Sequence, residues 1–185
     1  MQRGLLQTVI AASLTVTGFV GLSATASAGD DEQQPAELVR IRDDCDRQTF
    51  NAVLGAGACV GDGGTTFDEL VAELTERREA GAWSFSARRL EIRQGRNVRA
   101  VNEGGEAHSF TEVRRFGPGC VPEVNEILGF PPGARVRECR TDAWLRTVRA
   151  PGAALRVRGL TEGTHRFECL IHPWMRTTVQ VREAN

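Results

Sequence analysis

The spacing of apolar side chains changes once along this chain, from three and four residues before Trp83 to two residues after it. Before the change, "TTFDELVAELTERREAG" places Phe67, Leu70, Val71 and Leu74 at i, i+3, i+4 and i+7, which predicts an amphipathic helix over residues 67–80. Thr66 and Glu69 form the pattern of a capping box, Asp68 and Glu69 sit at the positive end of the dipole, and Arg77 and Arg78 near the negative end before Gly81. A surface helix buries such a stripe on its own domain by default, so packing is expected ahead of partner binding. A shorter helix is expected over residues 46–54, with Phe50, Val53 and Leu54 on one face and Gly55 as its stop. Residues 29–44, acidic and polar, read as a mobile lead-in, and "GDGG" at 61–64 as a flexible loop lacking the Walker pattern of a phosphate cradle.

Beyond Trp83, "RRLEIRQGRNVRAVN" alternates Leu90 and Ile92 with charged neighbours, turns at Gln94-Gly95, and continues as a second strand through Val98 and Val101. "HSFTEV", "AALRVRGL", "HRFEC" and "TTVQV" are four further strand candidates. Short strands separated by Gly and Pro turns imply an all-β fold, a sandwich or a barrel. Between the third and fourth strands lies an insert, residues 116–151, rich in Gly and Pro and carrying Cys120 and Cys139. Following the strand led by His108, it is expected to fold over that end of the domain as a lid. The chain thus divides into residues 1–28, an N-terminal extension with short helices at 29–84, and a β domain at 85–185.

Composition changes this picture through the compartment. Arg3, the mostly apolar stretch from Leu5 to Leu22 and the small residues Ala26-Ser27-Ala28 read as a Sec-type signal peptide cut after Ala28, in preference to a retained anchor. One Arg ahead of the apolar stretch, and no Cys at the cleavage point, disfavour twin-arginine and lipoprotein signals. No later apolar run of about 18 residues could span a bilayer, so no integral membrane segment is expected after cleavage. The mature protein is expected to be extracytoplasmic, secreted or periplasmic. Losing Arg3 takes the formal charge from −1 to −2, a balance that suggests no nucleic-acid partner. Arg114, Arg115, Arg135, Arg137 and Arg140 cluster near the insert and could steer an acidic partner; a solvated basic face is the simpler reading, because Arg is spread through the whole chain.

Five cysteines are an odd number for an oxidising compartment. Pairing neighbours along the chain gives Cys45 with Cys59 and Cys120 with Cys139, reduced thiols being the alternative, and leaves Cys169 alone. Cys169 opens "CLIHPWM", which sets a thiol, an imidazole and a thioether three residues apart at Cys169, His172 and Met175. Of the two other histidines, His165 lies four residues before Cys169 on one strand, about 13 Å away in extended chain, beyond the reach of a shared mononuclear site. His108 begins a different strand that a sandwich can bring alongside. One Cys, two His and a Met suit structural zinc poorly, and fit the trigonal His2Cys arrangement with a weak axial Met of blue-copper sites.

"CLIHPWM", with Pro173 directly after the second His, and "LEIRQGRNVRAVNEGGEAHSF" together resemble the cupredoxins, the first stretch being similar to the short ligand loop of their amicyanin and pseudoazurin members. The resemblance spans about residues 85–185, interrupted by the insert. It implies a Greek-key β-sandwich with one type 1 copper, bound by His108, Cys169 and His172 with Met175 on the axis. It leaves the helical, disulfide-stapled extension outside. Pro173 and Trp174 would form an apolar collar on the outer edge of His172. Many cupredoxins carry Asn after the first His to tie the two ligand loops together; Ser109 stands there, and its hydroxyl is expected to bond across more loosely.

Copper oxidases and nitrite reductases that resemble this fold flank the Cys with His residues, whereas Glu168 and Leu170 flank Cys169. Three histidines cannot build a trinuclear cluster, so no catalysis by the chain alone is expected. An electron carrier between extracytoplasmic redox proteins is the main reading; copper storage, delivery or protection is the alternative.

Overall fold

The structure, a computed structural model, describes residues 36–184. The signal peptide expected over residues 1–28 and the first residues of the expected lead-in lie outside the described residues. Four strands, β1 (Ala36–Arg42), β2 (Ser84–Phe85), β4 (Asn97–Asn102) and β8 (Ala154–Val157), form one sheet in the order β2-β1-β4-β8. A second sheet runs β3-β10-β9-β6, from β3 (Arg89–Arg93), β10 (Arg176–Arg182), β9 (Gly163–Glu168) and β6 (Thr111–Val113). A short ladder joins β5 (His108–Ser109) to β7 (Val148–Arg149). Both sheets are mixed, since β1 pairs with β4 and β3 with β10 in parallel. Val39, Ile41, Val98 and Ala100 from the first sheet and Ile92, Phe167, Val179 and Val181 from the second share one buried core, which makes a β-sandwich.

Residues 36–44 correct one expectation. Ala36–Arg42 is a strand held between β2 and β4, with Val39 and Ile41 fully buried and Arg40 and Arg42 facing out. Its period of two outweighs the acidic composition upstream of it. The 61–64 loop is pinned as well: Gly63 N–H donates to the Cys45 carbonyl, and Arg47 donates to the Gly61 and Val60 carbonyls.

"HSFTEV" is two strands rather than one. The chain changes partner at Phe110, leaving β7 for β9. The Phe110 ring accounts for the break, because it stacks on Phe167 of the second sheet at 4.5 Å and meets Phe85 of the first edge-on at 5.2 Å. One side chain thereby bridges both layers of the core.

The helices form close to where the apolar spacing places them. α1 (Arg47–Leu54) is capped by the Asp46 carboxylate, which accepts the Thr49 N–H at 2.8 Å. Phe50 is buried, but Val53 and Leu54 are 59% and 54% exposed, so only the central apolar position of this helix serves the core. α2 (Phe67–Arg77) carries the full capping box, and ends at Arg78 in the left-handed conformation, three residues before the expected glycine. Leu70 and Leu74 are buried with Phe50 and Trp83, the packing role expected of the stripe. Thr66→Ala is expected to lower unfolding free energy by about 1 kcal/mol in denaturant titration, because it leaves the Glu69 N–H without its acceptor.

Within the insert, α3 (Pro122–Ile127) and two 3-10 turns (Arg137–Arg140 and Asp142–Thr147) replace irregular loop. Both bridges form as expected, Cys45 with Cys59 and Cys120 with Cys139, and Cys169 is free and buried.

Candidate metal centre

β9 ends at Glu168, so Cys169 is the first residue of the loop that returns into β10. The loop is closed at its neck by Cys169 N–H donating to the Met175 carbonyl at 3.0 Å, and inside by Met175 N–H donating to the His172 carbonyl at 2.9 Å. This short closed path turns Cys169 and His172 towards β5. There His108 completes a buried group of three. His172 Nδ1 and His108 Nδ1 are 3.1 Å apart, and the Cys169 Sγ lies 3.7 Å from the first and 3.8 Å from the second. A triangle with those sides has its circumcentre roughly 2.1 Å from each corner, the length of a bond from an imidazole nitrogen to a transition metal. The donors therefore lie close to the spacing a metal ion needs, a bond of about 2.3 Å to the sulfur placing the ion slightly off that point. His165 stands apart, with Nδ1 2.6 Å from Glu112 and Nε2 2.8 Å from the Thr161 carbonyl.

Met175 is also buried, in the same core group as Cys169. Pro173 is buried and Trp174 half-buried, its ring meeting that of His172 edge-on at 5.3 Å. Ser109 ties the two loops more firmly than expected. Its hydroxyl accepts the Leu170 N–H at 2.7 Å, and its own N–H donates to the Cys169 Sγ at 3.3 Å. Thr111 holds that hydroxyl from behind, at 3.1 Å.

Electrostatics prepare the sulfur as a ligand. Burial by itself raises the Cys169 thiol, but hydrogen bonds and charge from His108 and His172 outweigh it and hold the thiol well below its ordinary 9.0. Burial pulls His108 down, and its bonds to Asp43 and Cys169 more than reverse that, raising it to about 9. Both shifts lean the same way, towards an ionised sulfur beside a protonated His108, and a metal ion bound at His108 would have to displace its proton.

Two carboxylates behind the histidines were not singled out in the sequence. Asp43 Oδ2 lies 2.7 Å from His108 Nε2, with both side chains essentially inaccessible to solvent. The same carboxylate accepts the N–H groups of Gly105 at 2.9 Å, Glu106 at 3.1 Å and Cys45 at 3.2 Å. Burial raises its pKa, yet the bonds from His108, Gly105 and Glu106 together bring it down to about 2. Engaging Nε2 in this way leaves Nδ1 to face the centre, the arrangement by which an outer carboxylate orients a metal-binding histidine. Glu106 Oε2 lies 3.7 Å from His172 Nε2 and accepts the Trp83 Nε1–H at 2.7 Å. Gly104 of "NEGGEA" permits the contact, because a Cβ there would lie 1.9 Å from Asp43 Oδ2. Only glycine lets the backbone close over that carboxylate.

The insert packs against the ligand loop. Cys120 N–H donates to the Leu170 carbonyl at 2.6 Å, and Val136, Phe116, Cys139 and Trp144 cluster around the Leu170 side chain. Glu168, fully buried, accepts the Gly117 N–H at 3.2 Å and Arg176 Nε–H at 2.9 Å. Burial is the main influence on that carboxyl and pushes it up to about 7, against the pull of Arg176 and Gly117. If the insert acts as the lid expected from chain order, replacing Cys120 and Cys139 together with Ser should speed loss of a bound metal ion to a chelator several-fold. An unchanged rate would remove that role.

No protein-family model and no curated protein sequence matches the chain. Among solved structures it is similar to a purple cupredoxin from Nitrosopumilus maritimus, at 14% identity and a TM-score of 0.41, over 79% of this chain and 99% of that one. It is also similar to amicyanin from Paracoccus versutus, at 18% identity and a TM-score of 0.34, over 54% of this chain and 73% of that one. A copper-containing nitrite reductase from Thermus scotoductus matches at 22% identity and a TM-score of 0.35; the overlap is 55% of this chain and only 21% of the reductase. Its two mixed sheets around one shared core make this chain a β-sandwich.

Proposed function

We propose that this protein is an exported type 1 copper protein that carries single electrons, with His108, Cys169 and His172 as the strong ligands of one copper and Met175 as the weak axial one. The observation that carries the reading is the buried triangle of one thiolate and two imidazole nitrogens, matched in size to a metal ion. Bound copper would supply a one-electron couple between its cupric and cuprous states. The residues around it supply rigidity: Asp43 fixes the His108 ring, Ser109 locks the Cys169 loop, and two ladders and a disulfide hold their backbones. A frame this fixed offers both oxidation states nearly the same geometry, which keeps reorganisation small. Electrons would pass to and from extracytoplasmic redox proteins, and the chain is not itself an enzyme. Among the described residues no helix is long and apolar enough to cross a membrane, and two disulfides suit an oxidising compartment.

The test is the visible and electron-spin spectra of the protein loaded with copper(II), followed by rapid mixing with a reductant. An intense thiolate-to-copper absorption with fast, reversible bleaching is the expected outcome. A colourless protein that retains only copper(I) would instead establish storage, delivery or protection.

A further inference from the structure

Several arginines among the described residues are matched by a carboxylate, and one exposed cluster of them is not. Arg40, Arg47, Arg96 and Arg182 sit in ion pairs with Glu103, Asp62, Glu37 and Glu91. Arg114, Arg115, Arg135, Arg137 and Arg140 are all exposed, have no carboxylate partner among the described residues, and line one groove of about 810 Å³. A single carboxylate, Glu138, shares that lining. Phe116, Pro118, Phe130 and Val136 form the apolar part of the same surface.

We propose that this arginine-rimmed groove is the docking surface for an acidic patch on a redox partner protein, an inference that rests on the electron-carrier reading above. Three observations choose this occupant. An apolar patch ringed by guanidinium groups has the make-up of a protein interface, where arginine and aromatic residues are enriched. The whole chain carries a formal charge of −1, so an extended polyanion such as nucleic acid meets overall repulsion, whereas a compact acidic patch meets only the local positive field. The groove is also built onto the thiolate strand. Gly117 bonds to Glu168, Val136 and Phe116 pack on Leu170, and Cys120 N–H bonds to the Leu170 carbonyl. Glu168 and Leu170 are the two neighbours of Cys169, so a partner seated there rests on insert residues that in turn pack against the residues flanking the proposed ligand. Trp174 and His172 would not have to be exposed for contact of this kind. The arginines set encounter rate and orientation, and the apolar residues hold the encounter complex.

Poly-L-glutamate is the probe for the surface alone, using the copper-free protein and amide shifts in NMR. Shifts are expected at residues 114–117 and 135–140, weakening steeply as salt rises past 0.1–0.2 M, about the range where the Debye length falls to 8–10 Å. The triple variant R115Q, R135Q, R137Q is expected to bind about ten-fold more weakly with an unchanged melting temperature, these side chains being exposed and unpaired. In the copper-loaded protein, the same variant should slow oxidation by hexacyanoferrate(III), an anion, roughly five-fold, and leave oxidation by tris(phenanthroline)cobalt(III), a cation, no slower. Equal binding of the probe by wild type and variant, shifts confined to another face, or tighter binding of a random DNA duplex than of poly-L-glutamate would each overturn the proposal. Probe binding without copper reads the surface, and the visible spectrum reads the electron-carrier function, so the two can fail separately.

Discussion

Asp43→Ala is expected to destabilise the copper-free protein by about 3–5 kcal/mol and to weaken copper binding by roughly 10- to 100-fold. The first effect follows from what the carboxylate holds together. It closes the Nε2 side of a buried imidazole and accepts three backbone N–H groups, those of Cys45, Gly105 and Glu106. Removing it orphans all four at once, and each buried donor left unpaired costs about 1–3 kcal/mol before relaxation. The second effect follows from His108, whose ring would lose the bond that aims Nδ1 at the centre. Asp43→Asn separates the two contributions. Its amide oxygen can still take part of the backbone bonding, so much of the stability should return, while the orienting charge on His108 does not. Urea unfolding of the copper-free forms and competition with a copper chelator are the measurements. Near-identical values for wild type and Asp43→Ala would falsify the role of the carboxylate as anything beyond filler.

This residue also shows where the sequence stops being legible. β3 and β10 could be read because each alternates between a core face and an outer face, and β4 and β9 because they alternate over part of their length, with Asn97 and Glu168 buried out of turn. β1 alternates through Val39, Arg40, Ile41 and Arg42, but only over this short run directly after an acidic, polar segment, so its period is masked by the composition around it. The thiolate loop was legible because histidine is scarce: with three in the chain and one excluded by strand reach, His108 had no competitor. Asp43 and Glu106 had many, among 24 acidic residues, and only the folded chain selects them. Asp43 meets His108 across 65 residues of sequence, through the bend that the Cys45–Cys59 bridge stabilises and the close approach that Gly104 permits. Trp83 reaches Glu106 in the same way, from the end of the segment that carries the helices. Residues outside the 85–185 resemblance thus reach both imidazoles, Asp43 directly at His108 and Trp83 through Glu106 at His172. Their role could not be seen locally, because it is expressed entirely in contacts between distant parts of the chain.

Cys169→Ser is expected to abolish the intense visible absorption of the copper(II) protein while leaving the sandwich folded. The sulfur is the only thiolate in the proposed centre, and it is fully buried between the two imidazoles. A serine hydroxyl is smaller, so it fits the same space, and it remains neutral where the thiol is ionised; the charge-transfer band therefore has no donor and copper(I) affinity falls with it. Far-ultraviolet circular dichroism should be unchanged, which separates loss of the ligand from loss of the fold. Met175→Leu makes the contrast that identifies the geometry. The exchange conserves volume in the core and should cost less than about 1.5 kcal/mol, with the thiolate band retained. If Met175 is the axial ligand, the reduction potential measured by voltammetry should nevertheless shift, because the axial position tunes the couple without making the strong bonds. A Met175→Leu protein with both spectrum and potential unchanged would place Met175 in the core alone and leave the centre three-coordinate. Visible absorption that survives in Cys169→Ser would remove the thiolate from the site, and with it the reading of the triangle formed by His108, Cys169 and His172.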